Sequence, residues 1–245
     1  MAGLPGRPTA LAPTVTDMTD VPSGVRLRAV LADLPAYTPG RPAGPAGERT
    51  AFKISSNENP YPPLPSVLDV VRDAAAGMNR YPDMAVTELT ERIAGRYGVP
   101  AERVVTGPGS VGVLQAILMT ACEPGDEVVF AWRSFEAYPI LTRLTGATPV
   151  QVPLTATAHH DLPAMLAAIT ARTRVVLVCT PNNPTGPAVG EGELTAFLNA
   201  VPSDVVVVLD EAYLEFVTAD DAPDCLALQQ GRPNVVVLRT FSKAY

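Results

Sequence analysis

The 245-residue sequence is poor in the features that mark several protein classes. Its three cysteines, Cys122, Cys179 and Cys225, are odd in number and far apart. That argues against a disulfide framework, and a zinc site would want paired short spacings; no metal is expected, and the reading is buried thiols in a reducing compartment. No run of about 18 apolar residues exists, so no membrane-spanning helix is expected. The N-terminus lacks a basic stretch followed by an apolar one, so no secretory signal is read and a cytoplasmic location is expected. Cations are outnumbered, with Lys+Arg 18 against Asp+Glu 25 and a net charge of −7. That balance argues against nucleic acid or an anionic membrane surface as the main partner. A Gly-Lys-Ser/Thr phosphate loop is also missing. The run Val205–Glu211, five apolar residues and two acids, therefore loses its reading as half of a nucleoside-triphosphatase site.

What is present is apolar bulk: 47% hydrophobic and 18% charged residues. This suits a packed core and is too apolar for a disordered chain. The length fits one large domain or two small ones, with no need for covalent staples. Proline is in excess, 26 residues or about 11%, roughly twice the usual share. Much of it lies in residues 1–65. Met1–Asp20 is expected to be disordered and Pro22–Gly47 to be a mobile arm with a short helix near Val25–Ala32. Ser56–Pro63 reads as a turn-rich loop. Helices are expected over Pro65–Ala76 and Val86–Tyr97, each followed by glycine.

From Arg103 onward, β-branched apolar runs alternate with helical stretches. Strands are expected at Arg103–Thr106, Glu127–Ala131, Thr148–Val152, Arg174–Cys179, Val205–Leu209 and Val235–Leu238. The last three are apolar on both faces, the mark of parallel strands covered on each side. Helices are expected at Val111–Ala121, Glu136–Leu144, Leu162–Ala171 and Gly190–Ala200. The fold class is α/β: a three-layer αβα sandwich around a mostly parallel sheet.

In such sheets ligands sit beyond the carboxyl ends of the strands, and there the chemistry-bearing residues collect. Gly107-Pro108-Gly109-Ser110 opens a helix, where free N–H groups and the dipole suit a phosphate; the competing reading is a plain turn. Asp210 could face a protonated ring nitrogen and keep the ring an electron sink; the alternatives are an N-cap or an ion pair. Lys243, beside the hydroxyls of Thr240 and Ser242, is a Schiff-base candidate if buried, since burial lowers an amine's pKa; otherwise it is a surface lysine. Asn182–Gly186 is a strong turn that could place an Asn on a cofactor oxygen. Phe135 could stack on a flat ring or serve the core. His159-His160-Asp161 is expected to be solvated, with Asp161 capping the next helix.

The ordered set Ser56-Asn57-Glu58-Asn59, Arg80-Tyr81-Pro82, Gly107–Ser110, Asn182–Gly186, Asp210–Tyr213 and Ser242-Lys243 resembles the fold-type-I pyridoxal-phosphate aminotransferases. Within them it is most similar to the histidinol-phosphate aminotransferase family. Trp132–Pro139 and Arg239–Tyr245 resemble the actinobacterial branch of phenylalanine or aromatic-amino-acid aminotransferases. The gaps fit as well: Asp210 stands 27 residues after Asn183, and Lys243 stands 33 after Asp210.

The resemblance implies that Lys243 carries pyridoxal 5'-phosphate and shuttles the substrate proton, and that Asp210 pairs with the ring nitrogen. It implies Asn183 and Tyr213 on the ring's 3' oxygen and Phe135 stacked on the ring. Gly109, Ser110, Val111, Thr240 and Ser242 would hold the phosphate. Tyr81 would reach the phosphate of a neighbouring subunit in a homodimer, and Tyr61 would lie near the substrate. The implied reaction moves an amino group between histidinol phosphate or an aromatic amino acid and 2-oxoglutarate, a step of amino-acid biosynthesis. A pyridoxal-phosphate lyase, such as a threonine-phosphate decarboxylase, uses the same cofactor residues. Residues 1–50 are then a flexible arm and 51–245 an incomplete cofactor-binding domain. Family members continue past Ser-Lys with a further strand and a small C-terminal domain, which this sequence does not contain. A catalytically incompetent fragment with exposed apolar surface is the alternative expectation.

Overall fold

The computed structural model describes residues 26–34, 53 and 56–245, and the chain divides into two units, residues 1–39 and 40–245. Most of the expected N-terminal arm lies outside the described residues. The described part of the first unit holds one 3-10 turn, Ala29–Asp33.

The second unit opens with helices α1 (Pro65–Ala75), α2 (Thr87–Tyr97) and α3 (Gly109–Ala121). The chain then runs β1 (Glu127–Trp132), α4 (Ala137–Thr145), β2 (Thr148–Pro153), α5 (Leu162–Ala167), β3 (Thr173–Cys179), α6 (Glu191–Ala200), β4 (Val206–Asp210), α7 (Cys225–Gln229) and β5 (Val235–Leu238). The five strands form one parallel sheet in the order β2-β1-β3-β4-β5.

Strand pleating assigns each residue a face, because successive side chains alternate. Val128, Phe130, Val175, Leu177, Cys179, Val208 and Leu238 pack with Leu114 and Leu118 of α3 and with Tyr138 and Leu141 of α4. Val129, Ala131, Val176, Val178, Val207, Leu209 and Val235 pack with Leu162 and Met165 of α5 and with Leu194, Phe197 and Leu198 of α6. Two cores on the two faces of one sheet make the three-layer sandwich, and they explain why the inner stretches 128–132 of β1, 175–179 of β3 and 206–209 of β4 are apolar at every position. All three cysteines are buried free thiols, two in the first core and Cys225 in the second.

Three expectations change. Arg103–Thr106 is not a strand: a 3-10 turn covers Ala101–Arg103, and Val105 is exposed. Residues 104–106 have extended character at Val104 but no neighbouring strand among the described residues, and a strand exists only through its ladder. Helix α5 ends at Ala167 rather than Ala171, because Thr170 turns away to donate its hydroxyl to Glu127. Asp161 does cap α5, accepting the Ala164 N–H at 2.9 Å. His160, however, is buried instead of solvated, and neither ring nitrogen has a hydrogen-bond partner among the described residues. Burial pushes its pKa down and keeps the ring neutral.

Helix α1 buries none of its residues; Val67, Leu68, Val70 and Val71 are all exposed.

Candidate active site at the strand ends

The strand order changes direction between β1 and β3: β2 lies on one side of β1, and β3, β4 and β5 follow on the other. In an open α/β sheet the crevice at such a reversal, outside the carboxyl ends, is where ligands bind. Here it is crossed by a buried strap. Ser134, just after β1, donates its hydroxyl to Asn182 Oδ1 at 2.7 Å, and Asn182 Nδ2 donates to the Arg133 carbonyl at 3.0 Å and to Thr185 Oγ1 at 2.7 Å. Asn182 is thus consumed in holding two loops together. Its neighbour Asn183 is half-buried, and its side-chain amide makes no hydrogen bond among the described residues. Asn183 is the one of the pair able to hold a ligand oxygen.

Asp210 ends β4 with the parity of Val208, so its carboxylate points to the face covered by α3 and α4. There Tyr138 of α4 donates its phenol O–H to Oδ2 at 2.6 Å, and the Ala212 N–H reaches Oδ1 at 3.1 Å. Burial pushes the Asp210 carboxyl above the usual range, while Tyr138, the Ala212 N–H and Lys243 pull it down and Glu211 adds to the push. Glu211 has the opposite parity and a different partner: Arg239 Nε donates to Oε2 at 2.8 Å, and the same guanidinium lies 4.6 Å from the centroid of Tyr97 in α2. Of the two neighbouring acids, the ion-pair reading therefore belongs to Glu211. Among the described residues, Asp210 has only neutral donors in direct contact.

Lys243 follows β5 and is half-buried, with Nζ 5.3 Å from the centroid of Tyr213. The Tyr213 hydroxyl accepts from Asn57 Nδ2 at 3.0 Å, and Asn59 Nδ2 donates to the Ala244 carbonyl at 3.3 Å. The loop 56–61 is thereby tied to the segment that carries the lysine. Phe135 is half-buried and meets the Tyr138 ring edge-on, centroids 5.6 Å apart.

Helix α3 begins at Gly109 with no side-chain cap; the Gly109 N–H is taken by the Gly107 carbonyl at 2.7 Å, which leaves the next N–H groups of the first turn available. Gly109 has φ +70°, and a Cβ there would stand 3.9 Å from Ser242 Oγ. Thr240 Oγ1 donates to that same Ser242 oxygen at 2.9 Å, and the Ser242 N–H returns to Thr240 Oγ1 at 3.1 Å. Gly109, Ser110 and Val111 at the helix start and Thr240 and Ser242 after β5 are thus brought to one place, a cup of donors fit for an anion.

Two expected residues stand apart. Tyr61 is 78% exposed and Tyr81 97% exposed, so neither ring is enclosed by this chain. Two others were not singled out in the sequence. Tyr138 could have been found by placing it in the first turn of the helix after β1. The Asn57–Tyr213 contact, spanning 156 residues, left no local signal.

The arrangement has known relatives. The family model for aminotransferase class I and II matches residues 49–245. The aromatic amino acid aminotransferases of Streptomyces avermitilis and Streptomyces coelicolor are each 58% identical over 220 residues, 90% of this chain and 61% of theirs. The chain therefore spans about three fifths of the length of these relatives. Histidinol-phosphate aminotransferase from Sinorhizobium meliloti, solved in complex with pyridoxal-5'-phosphate, superposes with a TM-score of 0.73 at 32% identity, covering 78% of this chain and 52% of that one. An aspartate aminotransferase variant from Thermus thermophilus shares the fold at a TM-score of 0.72 and 22% identity, over 78% of this chain and 55% of that one. With a five-stranded parallel sheet, a donor cup at a helix start and an acid and a lysine at neighbouring strand ends, the chain belongs to the aminotransferase class I and II family.

Proposed function

We propose that residues 51–245 are the cofactor-holding part of a pyridoxal-phosphate-dependent aminotransferase that acts on aromatic amino acids with 2-oxoglutarate as acceptor. The observation that carries this reading is Asp210: a carboxylate 4% exposed, directly contacted only by neutral donors, with a lysine near it at the next strand end. A buried acid left without a contacting cation fits a site whose cation arrives with a ligand.

The donor set fits the cofactor. Gly109, Ser110, Val111, Thr240 and Ser242 would bind its phosphate, Asn183 and Tyr213 its phenolic oxygen, Asp210 its ring nitrogen, and Phe135 would cover the ring. When bound, pyridoxal phosphate supplies an electron-withdrawing ring that takes up the electron pair released from the substrate's α-carbon. Lys243 would anchor it and offer Nζ as the base for the α-proton. Asp210 would supply negative charge to the ring nitrogen, and Asn57 donates to the Tyr213 hydroxyl and so orients it.

The substrate class is supported by the names of relatives at 58% identity. Histidinol phosphate is the second reading, favoured by the Sinorhizobium meliloti neighbour at 32%. A homodimer belongs to the same reading: Tyr81 and the apolar residues of α1 are exposed and would be covered by a second copy. Among the described residues no helix is long and apolar enough to cross a membrane, and we infer a cytoplasmic enzyme.

The test is to add pyridoxal phosphate to the chain, follow its visible absorbance, reduce with borohydride and map the modified residue. The expected result is a new band and a reduced adduct on Lys243, both missing in Lys243→Ala. A band that survives that substitution would refute the assignment. Loss of the band on adding phenylalanine but not histidinol phosphate supports the aromatic substrate, and the reverse supports the second reading.

A further inference from the structure

Among the described residues, Tyr138 is the largest side chain with no exposed surface. Its ring is gripped edge-on by Phe130 and Phe135, both at 5.6 Å between centroids. Its hydroxyl reaches Asp210 Oδ2 at 2.6 Å, a short bond of the charge-assisted kind. One rigid side chain therefore touches both the ring that would cover the cofactor and the acid that would face its nitrogen. Burial, with the negative charge of Asp210 close by, pushes the phenol's pKa well up, so the phenol keeps its proton and donates at every working pH.

We propose, resting on the function above, that Tyr138 is a positioning residue: acting through Asp210, its phenol fixes the rotamer and charge of the carboxylate that faces the cofactor ring. The groups around Asp210 leave this task to Tyr138. The Cys179 thiol on β3 is pushed up to about 12 by burial and stays neutral. Glu211, the next residue, is turned to the other face and paired with Arg239. Lys243 approaches from beyond β5 without a direct bond to the carboxylate, and the Ala212 N–H occupies only Oδ1. Without the phenol, the buried Oδ2 would lose its hydrogen-bond donor, and the protonated form of Asp210 would gain.

Tyr138→Phe removes the O–H and keeps the ring. In the cofactor-free chain, the 13C-carboxyl resonance of Asp210, assigned by its loss in Asp210→Asn, should titrate about one to two pH units higher in Tyr138→Phe. Pyridoxal phosphate should bind about tenfold or more weakly. Placing 3-fluorotyrosine at position 138, a stronger donor of the same shape, should move the Asp210 titration the other way and covers the case in which Tyr138→Phe misfolds. In an Asp210→Ala background, Tyr138→Phe should weaken binding no further. An unchanged Asp210 titration in both variants would overturn the proposal even if wild type binds cofactor through Lys243. Failure of wild type to bind would instead overturn the function it rests on, while the carboxyl titration would still report on the Tyr138–Asp210 pair.

Discussion

Two acids on this sheet are equally hidden, and they are treated in opposite ways. Glu127, 6% exposed, begins β1 at the amino end of the sheet, and Asp210, 4% exposed, finishes β4 at the carboxyl end. Glu127 is saturated: Arg172 donates from Nε at 3.0 Å and from Nη2, and Thr170 and Thr173 add their hydroxyls. The Thr170 and Arg172 hydrogen bonds hold its carboxyl below the usual range despite its burial. Asp210 is instead pushed above it by burial. One end of the sheet closes its charge with a guanidinium reaching in from solvent, and the other keeps an acid without a bonded cation. A binding end and a structural end can thus be told apart from whether a buried charge has been neutralised.

The contrast can be broken at either acid. The largest effect is expected from Asp210→Asn. Pyridoxal phosphate affinity should fall by about 30-fold or more, since removing one charge of a buried pair strands the other. The same substitution should raise the stability of the cofactor-free chain by about 1 kcal/mol, because a desolvated charge is removed. Titration calorimetry and thermal unfolding check the two signs, and a loss of stability would show that Asp210 is a structural acid like Glu127. Glu127→Gln should do the reverse, lowering stability by about 1–2 kcal/mol and leaving cofactor affinity within a factor of two. Arg172 is largely exposed, so the figure stays at the modest end.

The smallest effect separates the acids by pH. The folded-state pKa of Glu127 is lowered, so its stabilisation is complete above the unfolded value, about 4.3, and is lost as pH falls through the folded one. The pKa of Asp210 is raised, so its contribution declines as pH rises from the unfolded value, about 3.9, to the higher folded one, and is flat beyond. Denaturant unfolding across the acid range should therefore lose its low-pH fall in Glu127→Gln and its decline on the alkaline side of pH 4 in Asp210→Asn. If the two variants gave parallel profiles, the distinction would fail.

The carboxyl end of the sheet was largely legible in the sequence because its elements announce themselves locally. All-apolar runs at 175–179, 205–209 and 235–238 can only be buried strands, and polar residues directly after them must lie at a strand end. The same local logic misled at Arg103–Thr106, where β-branched residues promised a strand but no neighbouring ladder takes them up. It also missed Tyr138, whose importance lies in a bond to a residue 72 positions away. His160 was misplaced for a related reason: a polar tripeptide looks solvated, and only packing reveals that its ring is enclosed without partners. The short helix α7 carries too few residues for a periodic signal.

The pleat of β4 has a genetic consequence. Asp210 and Glu211 are adjacent in sequence, yet one turns to the site and the other to Arg239, only because each backbone step flips the side chain to the opposite face. A deletion of one codon between Val206 and Leu209 would present Glu211 to Tyr138 and carry Asp210 into the core place of Leu209. Composition and hydropathy would scarcely change, but the acid at the site would carry one methylene too many. The strand should therefore tolerate exchange among Val, Ile and Leu freely while admitting no change of length.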